Sequence, residues 1–373
     1  MLTRKESSAL RGIAILGIVL HNYTHWLGPM VKENEYTFTQ SNVNRLMVEL
    51  AHPSSELLAH LLSFFGHYGV PVFLFLSAYG LVMKYEPAFV GKNAVGEQEK
   101  AASETPSESV WTWIVAHWKK LFTMMAIGYG AFVMVDYMTP GPYRYTFWNV
   151  LGQLGMFSNL YADPDHAIWP GPYWFFGLML QLYLIYRLLL FPRKGLLSSN
   201  LSLIIFTVLC VVGQCLMAPE SSTLEWYRYN ALGSMLPFAC GLIYGRAVKS
   251  NGKSKSLIYA ITSATTRSTQ FGIIILCCLL IMIGSINFYA WALVPAVVCV
   301  LHVIVAKVLP DRALDALSWV GGISAAMFVS HPIARKIIIP ISRHGELYAG
   351  LLLYIVATIV LGIVFREIIK RAK

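Results

Sequence analysis

Apolar runs of near-membrane length recur along the whole chain, separated by shorter polar stretches. A helix needs roughly 20 apolar residues to cross a hydrocarbon core, so each run predicts a transmembrane helix. Ten can be drawn, over about 10–27, 64–83, 120–138, 174–191, 201–218, 230–248, 271–287, 290–308, 319–340 and 347–368. A weaker run at 147–160 is too short to span and reads as a re-entrant or interfacial segment. No internal repeat is visible. The pattern predicts an all-α polytopic membrane protein of about ten transmembrane helices, forming a single domain over residues 1–373.

Charge orients the bundle. With the N-terminus on the cytoplasmic side, only Lys32, Arg45, Arg144, Arg228, Arg335, Lys336 and Arg343 of the 29 basic residues fall on the opposite side. That bias predicts both termini to be cytoplasmic. The net charge of +10 is therefore a topology signal in short loops, not the basic stripe of a nucleic-acid binder. Composition agrees: 13% of residues are charged, against about a quarter in soluble domains. The six cysteines all lie in apolar runs and read as small buried hydrophobes rather than disulfide or metal partners. No small-x-small cleavage site follows the first run, which reads as an uncleaved span.

Three loops are long. The stretch 85–117 is rich in Glu, Ser, Ala and Lys and is expected to be a flexible cytoplasmic loop, with Trp111, Trp113 and Trp118 anchoring its return. The stretch 249–270 is basic and rich in Ser and Thr. On the opposite side, 28–63 and 139–173 carry many aromatics and prolines.

Candidate chemistry concentrates in the first span, LRGIAILGIVLHNYTHWL, which holds Arg11, His21 and His25. Ionisable groups in a span are costly and mark function by default. Arg11, always charged and forked, suits a phosphate at the cytoplasmic mouth; the bland reading is one more topology arginine that snorkels to the interface. Either histidine suits a general base. On an ideal helix Arg11 lies roughly 15 Å and about 80° from His21, and roughly 21 Å and about 40° from His25. Phase thus favours His25, and depth favours His21.

Further candidates are His67 and Ser77 on the second span, Tyr173, Trp174 and Gln181 on the fourth, and His331 on the ninth. Ser77 equally suits close helix packing and Gln181 a hydrogen bond between helices. Tyr173 and Trp174 suit an interfacial belt or a sugar platform. In the ninth span Gly321 and Gly322 are expected to loosen the start, and Pro332 and Pro340 to break the helix, with His331 beside the break. The chain has no Walker-type loop, no G-x-S-x-G, no HExxH and no Cys/His metal spacing. Neither a metal site nor the paired intramembrane carboxylates of a proton-driven pump is expected.

Four segments taken together resemble the acyltransferase-3 family of membrane acyltransferases, whose bacterial members acetylate envelope sugars. LRGIAILGIVLH is similar to its first span. GVPVFLFLSAYGL is similar to its second. YWFFGLMLQLYLIYRLL matches its fourth-span segment at Trp174, Gln181, Tyr183 and Leu184. ISAAMFVSHP resembles its late segment ending in His-Pro. The resemblance implies acetyl-CoA as cytoplasmic donor and a hydroxyl of an envelope carbohydrate or glycolipid as acceptor, in a bacterial inner membrane. It gives Arg11 the family's arginine role and His21 its histidine role. Lys249, Lys253, Lys255 and Arg267 are candidate helpers to Arg11 at the donor phosphates, the alternative being charges that set topology alone. Nine residues separate Arg11 from His21 where the family has ten, and Asn22 holds the usual position. Phase then turns His21 away unless the helix carries a bulge, which keeps His25 in play. The span-4 acidic residue is replaced by Met179 or Leu180, and Ala78 stands where Gly is common. The expected function is O-acyl transfer; the rival is a transporter or flippase of an envelope glycolipid using the same polar residues.

Overall fold

The computed structural model describes residues 2–86, 109–191, 199–252, 256–263 and 266–372. Every apolar run is helical, and no strand occurs among the described residues. The helices are α1 (Arg4–Thr24), α2 (Gln40–Ala51), α3 (Leu57–Phe65), α4 (Gly69–Tyr85), α5 (Val110–Met138) and α6 (Phe147–Leu154). Next come α7 (Pro164–Ala167), α8 (Trp174–Ile185), α9 (Asn200–Cys215), α10 (Ser222–Tyr229), α11 (Met235–Lys249) and α12 (Leu257–Thr262). The last are α13 (Arg267–Gly284), α14 (Phe288–Trp291), α15 (Val294–Val308), α16 (Asp311–Arg343) and α17 (Leu347–Arg371).

Among the described residues six helical stretches are long and apolar enough to cross a membrane: Leu57–Tyr85, Val110–Met138, Gly171–Leu190, Arg267–Gly284, Asp311–Arg343 and Leu347–Arg371. The helices α9 and α15 are shorter apolar ones. The protein is thus an all-helical polytopic membrane protein. The expected flexible loop falls mostly on 87–108, outside the described residues. Within the weak run at 147–160 lies the short α6, which leaves Phe147 and Trp148 exposed.

The helix α1 is the hub, packed along α16 and against α4. It starts on a capping box in which Thr3 and Glu6 satisfy each other's backbone N–H groups. Glu6 also pairs with Lys307 of α15 at 2.9 Å. Small residues set the approach of α16: a Cβ on Gly12 would strike the Leu317 carbonyl, and one on Gly321 the Ser8 carbonyl. Gly321 therefore tightens the packing rather than loosening the helix. The pairs Ser8–Ser318 at one end and Tyr23–Ser342 at the other make α1 and α16 run in the same direction. The helix α17 returns antiparallel, with Gly350 against Ser342 and Gly362 against Met327. Both termini thus lie at one end of the bundle, called here the near end.

The prolines of α16 do not break it; one helix runs from Asp311 to Arg343 with Pro332 and Pro340 inside. Pro332 cannot donate to the Phe328 carbonyl four residues earlier. The His331 ring supplies the missing donor, with Nδ1 2.8 Å from that carbonyl oxygen.

Candidate active site

At the far end of α1 a cavity of about 460 Å³ opens between the helices and the loops that join them. Its floor is made by His21, Asn22 and His25 from the last turns of α1. Close packing sets this floor. A Cβ on Gly66 would meet the His21 Cβ at 2.6 Å, and one on Gly69 would strike the Ala14 carbonyl. That approach carries the end of α3 over α1 and puts the Ser63 carbonyl 2.8 Å from His21 Nδ1. A carbonyl only accepts, so in the neutral ring Nδ1 carries the hydrogen and Nε2 keeps its lone pair. Ser63 is itself held, its hydroxyl donating to the Val31 carbonyl at 2.6 Å.

The loop between α1 and α2 closes over the histidines. His25 Nδ1 bonds Glu33 Oε2 at 2.9 Å, and His21 Nε2 lies 4.0 Å from Glu33 Oε1 and 3.8 Å from Glu35 Oε2. The loop backbone is pinned from several directions. Arg228 donates twice to the Glu35 carbonyl, the Trp291 indole donates to the Asn34 carbonyl, and Asn42 donates to the Glu33 carbonyl. Burial opposes the Glu33 charge, but His25 and His21 outweigh it and hold that carboxyl well below the usual range. Glu35 goes the other way: burial, and then the Glu33 charge, push it up to about 8. Two carboxyls two residues apart are thus driven to opposite protonation states.

Two aromatic walls rise from the floor. On one side Trp26 meets Trp169 edge to face, and Tyr143 stacks on Trp169 at 4.8 Å. On the other Tyr36 stacks on Tyr229 at 4.0 Å, with Trp174 edge-on to both. Arg335 lines the cavity with its guanidinium over the Trp26 ring. Toward the near end, Ile18, Val70, Phe175 and Phe328 also wall an apolar chamber of about 100 Å³ that adjoins the cavity.

The candidates from sequence separate into two groups. His21, His25 and Trp174 meet in the cavity. His67 lies beside them, its ring 5.7 Å from that of His21, against a smaller chamber that also touches Glu35. The others are elsewhere. Ser77 is half-buried along α4. Tyr173 is fully buried and donates to the Val329 carbonyl at 2.8 Å. Gln181 bridges Asn230 and the Ala231 amide, and His331 is spent on the α16 backbone. Neither Tyr173 nor Trp174 is a belt residue, at 0% and 5% exposed. Arg11 stands exposed near the opposite end of α1, interacting with Tyr183. The helix α1 has no bulge, yet His21 reaches the cavity, because Arg11 does not share that cavity and their relative phase is irrelevant. Of the candidate helpers, Lys249 donates to the Glu86 carbonyl and Arg267 opens α13, while Lys253 and Lys255 lie outside the described residues.

Glu33, Glu35, Tyr36 and Arg335 were not foreseen as site residues. The available signal was two carboxylates in an aromatic loop directly after the histidine span.

No curated protein and no solved structure matches the chain. Residues 5–367 match a family described as Acyltransferase domain, which takes in nearly all of the sequence, including both site histidines and the loop that covers them. The chain belongs to the acyltransferase-3 family, and it is a membrane acyltransferase.

Proposed function

We propose that the protein moves an acetyl or similar short acyl group from cytoplasmic acyl-CoA to a hydroxyl of an envelope carbohydrate or glycolipid, in a bacterial inner membrane with both termini cytoplasmic. The observation that carries this reading is the 2.8 Å contact of His21 Nδ1 with the Ser63 carbonyl in a residue that lines an aromatic-walled cavity. It commits the Nδ1–H and leaves the Nε2 lone pair to act as base. A general base must sit within reach of the proton it takes, in the correct tautomer.

In this mechanism the acceptor hydroxyl lies in the cavity with its hydrogen toward His21 Nε2. As the hydroxyl oxygen attacks the thioester carbonyl carbon, Nε2 takes the proton. The carbon–sulfur bond then breaks, and the imidazolium returns the proton to the leaving thiolate. Glu33 steadies the positive charge that forms on His21. The apolar chamber beside Ile18 and Phe328 supports passage of an uncharged acyl arm. Arg11 supports capture of donor phosphates at the near end.

The test uses purified protein in nanodiscs, labelled acetyl-CoA and envelope glycan. Label should pass to the glycan with wild type and not with His21→Ala. Equal labelling by wild type and His21→Ala would sink the base assignment. No labelling from any acyl-CoA, with glycolipid movement in vesicles, would replace the reading with a transporter.

A further inference from the structure

We propose that His21, His25 and Glu33 form a site for one divalent transition-metal ion of the zinc type, and that such an ion inhibits the enzyme. Each residue offers one donor atom, and the three atoms all lie within 4.8 Å of one another. Tetrahedral zinc with ligands at about 2.0 Å needs donors roughly 3.3 Å apart, so small side-chain adjustments close the site. Two imidazoles and a carboxylate with one open position is a familiar zinc ligand set.

The second shell is already in place. Metal-bound histidines usually give their other ring N–H to a carbonyl or carboxylate, which fixes the ring. His21 does this at Ser63, leaving Nε2 toward Glu33. The His25 ring stacks on it at 5.3 Å. His67 stands next to this pair, 3% exposed, with neither ring nitrogen in a hydrogen bond of good geometry. A third imidazole, and so a fourth ligand, is thus within a side-chain movement of the cluster.

The groups that face the site also allow a cation. The Glu35 carboxyl reaches to 3.8 Å of His21 Nε2, a further oxygen donor. The nearby cations are turned to other partners: Lys32 donates to the His25 carbonyl, Arg335 lies over Trp26 with a bond to the Asn22 carbonyl, and Arg228 donates to the Glu35 carbonyl. The inhibitory part rests on the proposed acyl transfer, since an ion on Nε2 occupies the lone pair that must take the acceptor's proton. The binding part does not.

The experiment strips the full-length protein in detergent with a chelator, then measures Zn²⁺ by equilibrium dialysis and Co²⁺ by its visible spectrum. One ion per chain is expected, with a tetrahedral cobalt spectrum. Affinity should fall roughly tenfold or more in Glu33→Gln and in His25→Gln, and stay unchanged in His52→Ala and His344→Ala, whose side chains are exposed. Binding unaffected by Glu33→Gln and His25→Gln would overturn the site and assign the ion to surface histidines. A readout that needs no variant is modification by diethylpyrocarbonate: Zn²⁺ should protect His21 and His25 in wild type, and failure to protect them would also overturn it. In the transfer assay Zn²⁺ should inhibit and chelation restore. Activity abolished by chelation would overturn the inhibitory role. Zn²⁺ bound as expected with no transfer from any acyl-CoA would support the site and sink the acyl-transfer reading.

Discussion

At the far end of α1, His21 and His25 sit among Glu33, Glu35 and two aromatic walls, under a loop pinned by Arg228, Asn42 and Trp291. Ten residues earlier on the same helix, Arg11 is exposed, with Tyr183 of α8 nearby and an aromatic group of Trp113, His117 and Tyr183 beyond it. One end has its polar atoms placed in advance by hydrogen bonds, and the other offers a single guanidinium beside Tyr183. Proton transfer demands fixed geometry, because the base must meet one atom. Holding a multiply charged donor by its phosphates demands a strong charge and little else. Under the proposed function, a stretch of α1 roughly 15 Å long between these residues would join the two tasks.

The comparison breaks most visibly if the fixed end is not where chemistry occurs. His21→Ala is expected to lower kcat by about 10²–10⁴-fold, the usual range for a lost general base. KM for acyl-CoA should stay close to wild type, because the donor charge is met at the other end. A kcat that survives His21→Ala and falls in His25→Ala would move the base one turn along the helix. Arg11→Ala should do the reverse. KM for acyl-CoA rises roughly tenfold or more, from the loss of one charge-assisted contact worth about 1.5–3 kcal/mol, while kcat at saturation and melting temperature hold. Steady-state kinetics on both variants separates the two ends, and equal effects on kcat would erase the distinction.

Much of this architecture was legible in advance, for physical reasons that differ by residue. The run lengths gave the helices because a bilayer imposes one length on every span. Arg11, His21 and His25 stood out because ionisable side chains are rare in such runs. The order of Pro332 after His331 suggested a broken helix, yet the ring of His331 repairs the bond that Pro332 removes. A side-chain donor to a backbone carbonyl leaves no periodic trace in sequence. Glu33 and Glu35 carry only the weak signal of their position after the histidine span, for a related reason. Their place depends on anchors to Arg228 and Trp291, close to 200 residues or more away in the chain. The donors of the metal site are likewise split between a helix and a loop, a spacing that no short motif describes.

The opposed carboxyls of the far end predict a pH signature on the alkaline side. Glu35 is raised to about 8 by burial and by Glu33. Its contribution to stability is complete below its ordinary value near 4.5 and is lost as pH rises through about 8. Glu33 is lowered, so its contribution is present above the ordinary value and is lost as pH falls through its depressed one. Glu35→Gln should therefore remove much of the alkaline loss, raising the melting temperature at pH 9 relative to wild type by about 2–4 °C, with little change at pH 5. Thermal unfolding across that range checks it, and parallel curves for the two proteins would show that Glu35 is ionised throughout.

The smallest expected effect bears on whether His331 belongs to the far-end site at all. Its Nδ1 donates to the Phe328 carbonyl, the acceptor that Pro332 cannot serve. His331→Leu should leave that buried carbonyl unpaired at a cost of about 1–3 kcal/mol. Pro332→Ala restores a backbone N–H at the right position, so adding it to His331→Leu should recover most of that cost. The two substitutions are then non-additive in the sense a shared acceptor requires. Acyl transfer per folded molecule should stay near wild type in the double variant. A substrate contact predicts the opposite pattern: activity lost in His331→Leu and not recovered by Pro332→Ala, whatever happens to stability. The same double-mutant cycle, read once by unfolding and once by turnover, therefore decides whether His331 joins Phe328 and Arg335 of α16 in the far-end site or serves the α16 backbone alone.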